Sequence, residues 1–163
     1  MSLRSLSSVV RFAPAALAVA LVAPAHADVS KKVIAACKGK MIISTAPIDG
    51  SDEKGTIAAC KQKGGLKLQG SQNGNDVQEW TFNYTAFLAK TGGSSLKLEF
   101  YDGDKYSADR TLTGIDPKDP VLEGDITIDE DEGLTKGKTY TLKLVGRVKG
   151  KETTISSAVV TMQ

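Results

Sequence analysis

Histidine is nearly absent from this 163-residue sequence. The single one, His26, lies inside an A-x-A triplet that follows an apolar stretch, a pattern typical of a signal-peptide cleavage site. If residues 1–27 are removed on export, no histidine remains. The chain then cannot form a Ser-His-Asp or Cys-His pair, and it lacks the commonest near-neutral proton shuttle. The composition therefore predicts that the protein is not an enzyme, although carboxylate, lysine or tyrosine chemistry stays open.

A hydrophobic run long enough to span a membrane is also missing. The apolar stretch at residues 12–22 is shorter than the about 20 residues that a transmembrane helix needs. Arg4 and Arg11 precede it, and no cysteine stands at the cleavage point that could carry a lipid anchor. We therefore expect residues 1–27 to be a cleaved signal peptide, the protein to be periplasmic or secreted, and the mature chain not to insert into a membrane.

An excess of charge of either sign is missing as well. Removal of residues 1–27 takes two of the 21 basic residues, which leaves 19 against 19 acidic ones in a chain of 136 residues. That length suits one domain. Nucleic acid binding depends on clustered positive charge that displaces counterions, so the neutral balance argues against a nucleic acid partner.

Cysteine is scarce, since Cys37 and Cys60 are the only two. They have no C-x-x-C spacing and no histidine that would lower a thiol pKa, so a redox role is disfavoured. In an exported chain the simplest interpretation is one structural disulfide. Both cysteines lie in similar segments, VIAACKGK at 33–40 and TIAACKQK at 56–63. Capping residues and glycines predict helices over residues 30–38 and 52–63, so residues 28–65 are expected to form a helical, disulfide-tied N-terminal segment.

Alternating apolar and polar residues begin at residue 66 and predict strands separated by turns. The clearest strand covers residues 77–88, where Trp80, Phe82 and Tyr84 share one face. A lone tryptophan on such a face is expected in the core. Residues 41–43 indicate a further short strand upstream. From residue 66 onward seven strands are predicted, at about 66–69, 77–88, 96–101, 106–112, 122–128, 138–148 and 153–162.

The spacing Leu134-x-x-Gly137-x-x-Tyr140 resembles the tyrosine corner of immunoglobulin-like and fibronectin type III-like domains. The resemblance covers about residues 66–163 and includes Trp80, which matches the buried tryptophan of the fibronectin type. Leu142 stands where antibody domains have a cysteine. The resemblance implies a mainly β protein, an immunoglobulin-like antiparallel β-sandwich of about seven strands, with Trp80 and Tyr140 in its core. It also implies a binding or structural role in adhesion, the cell envelope or protein–protein interaction.

Acidic turn residues provide the candidate metal ligands. In the immunoglobulin-like strand order, three connections that carry carboxylates gather at one end of the sandwich. Calcium requires six to eight oxygen ligands, which such a cluster can supply. Solvated turn residues are the alternative interpretation, because the chain has no EF-hand spacing. Calcium is the one cofactor that the sequence suggests. Its candidate ligands are Asp76, Asp102, Asp104, Asp129 and Asp131, with Asn75, Glu130 and Glu132 beside them.

Two further function classes stay open. Tyr101 and Tyr106 are the aromatic residues best placed to stack on a sugar, so a calcium- or carbohydrate-binding accessory module is the alternative to a protein-binding domain. A hydrolase with paired carboxylates is the other, but no spacing singles out such a pair.

The final predicted strand, residues 153–162, lacks a clean alternation of apolar and polar residues. Either it is an edge that accepts a strand from another molecule, or it is a bulged strand that closes the sandwich. A protein partner or self-assembly is therefore expected.

Overall fold

The computed structural model describes residues 29–62, 65–116 and 118–163, so the predicted signal peptide lies outside the described residues. The protein is mainly β, as the sequence predicts. No helix in the described ranges is long and apolar enough to cross a membrane. The elements are α1 (Lys31–Cys37), β1 (Met41–Ser44), α2 (Glu53–Lys61), β2 (Leu66–Leu68), β3 (Ser71–Gln72), β4 (Gln78–Phe87), β5 (Ser94–Asp102), β6 (Lys105–Thr111), β7 (Val121–Asp129), a 3-10 turn (Glu130–Glu132), β8 (Thr139–Val148) and β9 (Lys151–Met162).

The strands form two sheets that share one core. In the four-stranded sheet, β4 is central, with β7 on one side and with β1 and β3 one after the other on the opposite side, all antiparallel to it. The five-stranded sheet has the order β2-β9-β8-β5-β6, and only β2 with β9 is a parallel pair. The apolar faces of both sheets pack against each other in a sandwich-like arrangement.

Aromatic side chains fill the centre of this core. Phe82 of β4 and Phe100 of β5 meet edge to face across the two sheets, with ring centroids 6.4 Å apart. Trp80 is completely buried, and its Nε1 donates a hydrogen bond to the carbonyl oxygen of Gln163, 3.2 Å away. The alternation along β4 thus places Trp80, Phe82 and Tyr84 between the sheets.

The described residues form nine strands, which corrects the predicted count of about seven. The seven segments predicted from residue 66 onward all contain a strand, and the two others are β1 and β3. The sequence indicated β1 but the count began after it. β3 is two residues long and both are exposed. It lies in a polar loop without apolar alternation, so nothing local in the sequence marks it as a strand.

A bulge in β9 explains why the last strand lacks alternation. The pairing with β8 shifts so that Leu144 is opposite Ser156 and Val145 is opposite Thr154, which leaves Ile155 as the extra residue. Ile155 and Ser156 are consequently buried in succession. On its other edge β9 meets β2, and the Ile155 carbonyl oxygen accepts a hydrogen bond of 2.8 Å from the Ala89 N–H. β9 is therefore a bulged strand, and from the bulge to its end it already has partners on both sides.

The corner before β8 has the contact that the Leu-Gly-Tyr spacing predicts. The Tyr140 hydroxyl oxygen accepts a hydrogen bond of 2.9 Å from the backbone N–H of Thr135. Leu134 and Tyr140 are both buried, and Gly137 has a φ of 85° that favours glycine. The phenol ring thereby connects the chain that crosses between the two sheets to the core.

Replacing Tyr140 with phenylalanine is expected to lower the free energy of unfolding by about 1 kcal/mol, because the Thr135 N–H loses its acceptor while the buried ring keeps its packing. Tyr106→Phe is the matched control. Its hydroxyl donates to Asp109 at the exposed surface, so a change within about 0.5 kcal/mol is expected. Urea unfolding of both variants measures the difference, and equal losses would contradict a role for the corner hydrogen bond.

Candidate functional site

The N-terminal segment is built from two short capped helices joined by a disulfide. Ser30 caps α1 and Asp52 caps α2, in each case through a side-chain oxygen that accepts a backbone N–H. Cys37 and Cys60 form the predicted disulfide, with Cα atoms 5.6 Å apart. The two helices pack on Phe87, and the strand between them, β1, belongs to the four-stranded sheet. The segment expected to precede the sandwich therefore also contributes a strand to it.

An open groove of about 1180 Å³ lies between β1, the end of α2 and the second half of β9. We call it the β1–β9 groove. Its lining is rich in apolar side chains, and Val159, 40% exposed, is one of them. Val159 and Tyr106 are the two large hydrophobic side chains that stand out as exposed in the described part of the chain. The apolar lining residues are Ala36, Met41, Ile42, Ile43, Ile48, Ala59, Leu66, Ala158 and Val159.

Around Ile43, the side of β1 that faces this groove has no partner strand among the described residues. The carbonyl oxygen of Lys40 accepts a hydrogen bond of 2.9 Å from the Phe87 N–H, so the backbone groups of Lys40 point towards β4. Met41 and Ile43 alternate with the residues that face β4, so their backbone groups point to the opposite side, away from β4. Lys40 also bridges to Ser157 of β9, beyond which β1 and β9 diverge into different sheets. The edge of β1 around Ile43 consequently faces the groove without a neighbouring strand among the described residues.

Positive charge lines the same groove. Lys40, Lys61 and Lys67 are exposed, and none of the described residues in its lining is acidic. The three lysines form no ion pair with any residue that the structure places. Extended apolar surface, an unpaired strand edge and a cationic rim together suit an extended peptide segment that carries carboxylates.

The five predicted calcium ligands lie in three separate turns. Asp76 is in the turn before β4, Asp102 and Asp104 flank the β5–β6 turn, and Asp129 and Asp131 begin the connection from β7 to β8. No group of three or more acidic, histidine or cysteine side chains in the described ranges is arranged to hold a metal ion. Calcium binding stays a prediction that this arrangement does not support.

Two of these carboxylates already accept hydrogen bonds from other residues of the chain. Asp102 accepts a hydrogen bond of 2.7 Å from Lys138 Nζ. Asp129 Oδ1 accepts the backbone N–H of Glu132 at 3.1 Å as the cap of the 3-10 turn. Both carboxylates thus have a local structural role.

The two candidate sugar-stacking residues contact each other. The rings of Tyr101 and Tyr106 meet edge to face with centroids 6.0 Å apart. Lys143 Nζ lies 3.9 Å from the centroid of Tyr101 and so covers one face of that ring. Only Tyr106, half exposed, keeps a large open surface.

The chain matches no protein-family model and no curated protein. Its function therefore has to be argued from the arrangement of its own residues, and the β1–β9 groove is the candidate site with the most features that point to one ligand chemistry.

Proposed function

We propose that this chain is a periplasmic or secreted, non-enzymatic immunoglobulin-like domain that binds another protein. The strand order supports the fold assignment. With β4 to β9 taken as strands B, C, C′, E, F and G, β4 lies next to β7, and β9, β8, β5 and β6 follow one another in the second sheet. Immunoglobulin-like sandwiches pair B with E and G with F, C and C′ in the same way. Tyr140, near the start of β8, takes the corner position.

The β1–β9 groove is the proposed binding site, and its occupant is an extended, acidic segment of the partner. The observation that carries this proposal is the unpaired edge of β1 beside three exposed lysines. A strand added to β1 gains backbone hydrogen bonds, while its carboxylates meet Lys40, Lys61 and Lys67. The apolar lining receives the alternate side chains of the same strand.

Two further observations support an extracytoplasmic, non-catalytic role. The disulfide between Cys37 and Cys60 requires an oxidising compartment, which agrees with the signal peptide expected at residues 1–27. The only histidine, His26, falls within that signal peptide, so the mature chain would lack the usual base for nucleophilic catalysis.

The proposal is tested by crosslinking the mature protein in its own envelope and medium and identifying captured proteins by mass spectrometry. We expect one enriched partner for the wild type. The triple variant Lys40→Glu, Lys61→Glu, Lys67→Glu is expected to lose at least about tenfold of that capture, because each lysine becomes a like charge towards the partner's carboxylates.

A matched triple variant controls for overall charge. Lys90, Lys149 and Lys151 are exposed and lie outside the groove lining, so their replacement by glutamate makes the same change in net charge. Capture by this control should equal that of the wild type. Equal losses in both variants would mean nonspecific charge attraction, and no enriched partner for the wild type would overturn the protein-binding proposal.

A further inference from the structure

A glycine inside β7 lets a buried tyrosine reach the outer edge of the sheet. Gly124 is directly opposite Tyr84 of β4. A Cβ atom at Gly124 would lie 2.8 Å from the Tyr84 hydroxyl oxygen and 3.0 Å from the nearest ring carbons. Glycine within a strand commonly marks such a close approach. The phenol ring of Tyr84 therefore lies across β7, where any other side chain would block it.

The Tyr84 hydroxyl lines an open pocket of about 490 Å³ between β7 and the loop that follows β6. We call it the β7 pocket. Tyr84 is only 3% exposed, and no described residue forms a hydrogen bond with its hydroxyl, whose oxygen reaches the solvent of the pocket and is not fully buried. The lining contains no lysine or arginine among the described residues, and its four acidic residues are Asp116, Asp119, Glu123 and Asp125.

The electrostatic setting keeps the phenol neutral. Burial, together with the negative charge of Asp125, raises the pKa of Tyr84 to about 12. A neutral phenol oxygen in an acidic pocket accepts hydrogen bonds from a cation. No three of the lining carboxylates are close enough to hold a metal ion in the described structure, so the pocket suits a larger cation whose donors reach several groups.

The backbone edge beside the pocket is unpaired. Arg110 Nη2 donates a hydrogen bond of 2.9 Å to the carbonyl oxygen of Thr127, which shows that Thr127 points its backbone groups away from β4. By the alternation of an antiparallel pair, Glu123 and Asp125 point theirs to the same side. Among the described residues, β4 is the strand that pairs with β7, and it lies on the opposite side.

We propose that the β7 pocket binds the Lys or Arg side chain of an extended protein segment that adds to β7 as a strand. The cation donates to the Tyr84 oxygen in a charge-assisted hydrogen bond, and the negative charge of the acidic lining residues attracts it to the pocket. The segment's backbone pairs with Glu123 and Asp125, which is why a peptide fits this site better than a free amine. This site is on the opposite edge of the four-stranded sheet from β1 and does not depend on the β1–β9 groove.

The test is an NMR titration of the full mature protein with the peptide acetyl-Thr-Val-Lys-Val-Thr-amide. The control peptide has norleucine in place of lysine. Norleucine keeps the length and the apolar stem of the side chain but has no charge. We expect the lysine peptide to shift the amide signals of Gly124 and Asp125 and to bind at least about tenfold more tightly than the norleucine peptide.

Variants connect the binding to named groups. Tyr84→Phe removes only the hydroxyl and is expected to weaken lysine-peptide binding about threefold to tenfold, the effect of one neutral hydrogen bond. Asp125→Asn is expected to weaken it about tenfold and to reduce its salt dependence. Asp104→Asn, which removes a carboxylate outside the pocket lining, is the control and should bind as the wild type.

Each other outcome overturns the proposal. Equal affinity for both peptides would show strand addition without recognition of the cation. If N-acetyl-lysine methylamide bound as tightly as the peptide, the site would be one for small cations and not for a protein segment. The triple lysine variant of the β1–β9 groove should keep full peptide binding, so failure here and failure of the proposed function remain separate results.

Discussion

Replacing Trp80 with alanine is expected to lower the free energy of unfolding by about 3–5 kcal/mol. The indole is fully buried between the sheets, so alanine would leave a cavity that the surrounding side chains cannot fill. The Gln163 carbonyl would also lose the 3.2 Å hydrogen bond from Nε1 and keep only the one from the Gly70 N–H. Urea unfolding followed by circular dichroism measures the loss, because the tryptophan itself is no longer present as a probe.

Tyr106→Ala is the control for this substitution, because Tyr106 is a large aromatic residue that is half exposed. The decrease in the free energy of unfolding caused by Tyr106→Ala is expected to stay below about 1 kcal/mol. A loss below about 1 kcal/mol for Trp80→Ala as well would contradict the placement of the indole in the core.

Removing the disulfide with the double variant Cys37→Ala, Cys60→Ala is expected to lower the free energy of unfolding by about 3 kcal/mol. The bridge spans a sequence separation of 23 residues and so restricts the unfolded chain. α1 and α2, with seven and nine residues, are too short to be stable alone and depend on this bridge and on packing against Phe87. The loss should therefore concentrate in the N-terminal segment.

Thermal unfolding of the double variant, of the oxidised wild type and of the wild type with reductant measures this effect. Reduction and substitution should produce similar decreases, because both release the same loop. Hydrogen exchange should show lost protection first in α1, α2 and β1. An unchanged melting temperature on reduction would contradict the structural role of the bridge.

The charge distribution gives the two proposed sites opposite preferences. The full chain has a formal net charge of only +2. Yet the groove beside β1 is lined by lysines that form no ion pair with a described residue, and the pocket beside β7 is lined by acidic residues. Overall neutrality therefore does not mean a surface without electrostatic preference, and each proposed site is expected to prefer a partner segment of the opposite charge.

Local patterns in the sequence predicted the elements that local physical chemistry controls. The alternation around Trp80 predicts a strand because side chains of a strand point to alternate faces. Capping residues predicted α1 and α2, and Asp52 caps the second helix. Two cysteines leave only one possible pairing, and the structure contains that disulfide.

Pairing between strands that are distant along the chain could not be predicted from the sequence, because it depends on tertiary contacts and not on a local pattern. β3 has two residues without alternation, and its strand conformation comes from pairing with β4 alone. The bulge at Ile155 depends on the register between β8 and β9, which no local pattern encodes. Whether the predicted calcium ligands come together depends on how three separate turns fold back, and no three acidic side chains in the described residues are arranged to hold a metal ion.

The sequence by itself determined that this is a mainly β chain with capped helices, a disulfide and a corner tyrosine, since each depends on neighbours along the chain or on the only possible pairing. Tertiary structure alone decided both proposed sites. Lys40, Lys61 and Lys67 line one groove only because β1, the end of α2 and β2 all lie beside β9. Tyr84 reaches an acidic pocket only because Gly124 is opposite it on β7, a contact set by strand register over 40 residues of chain.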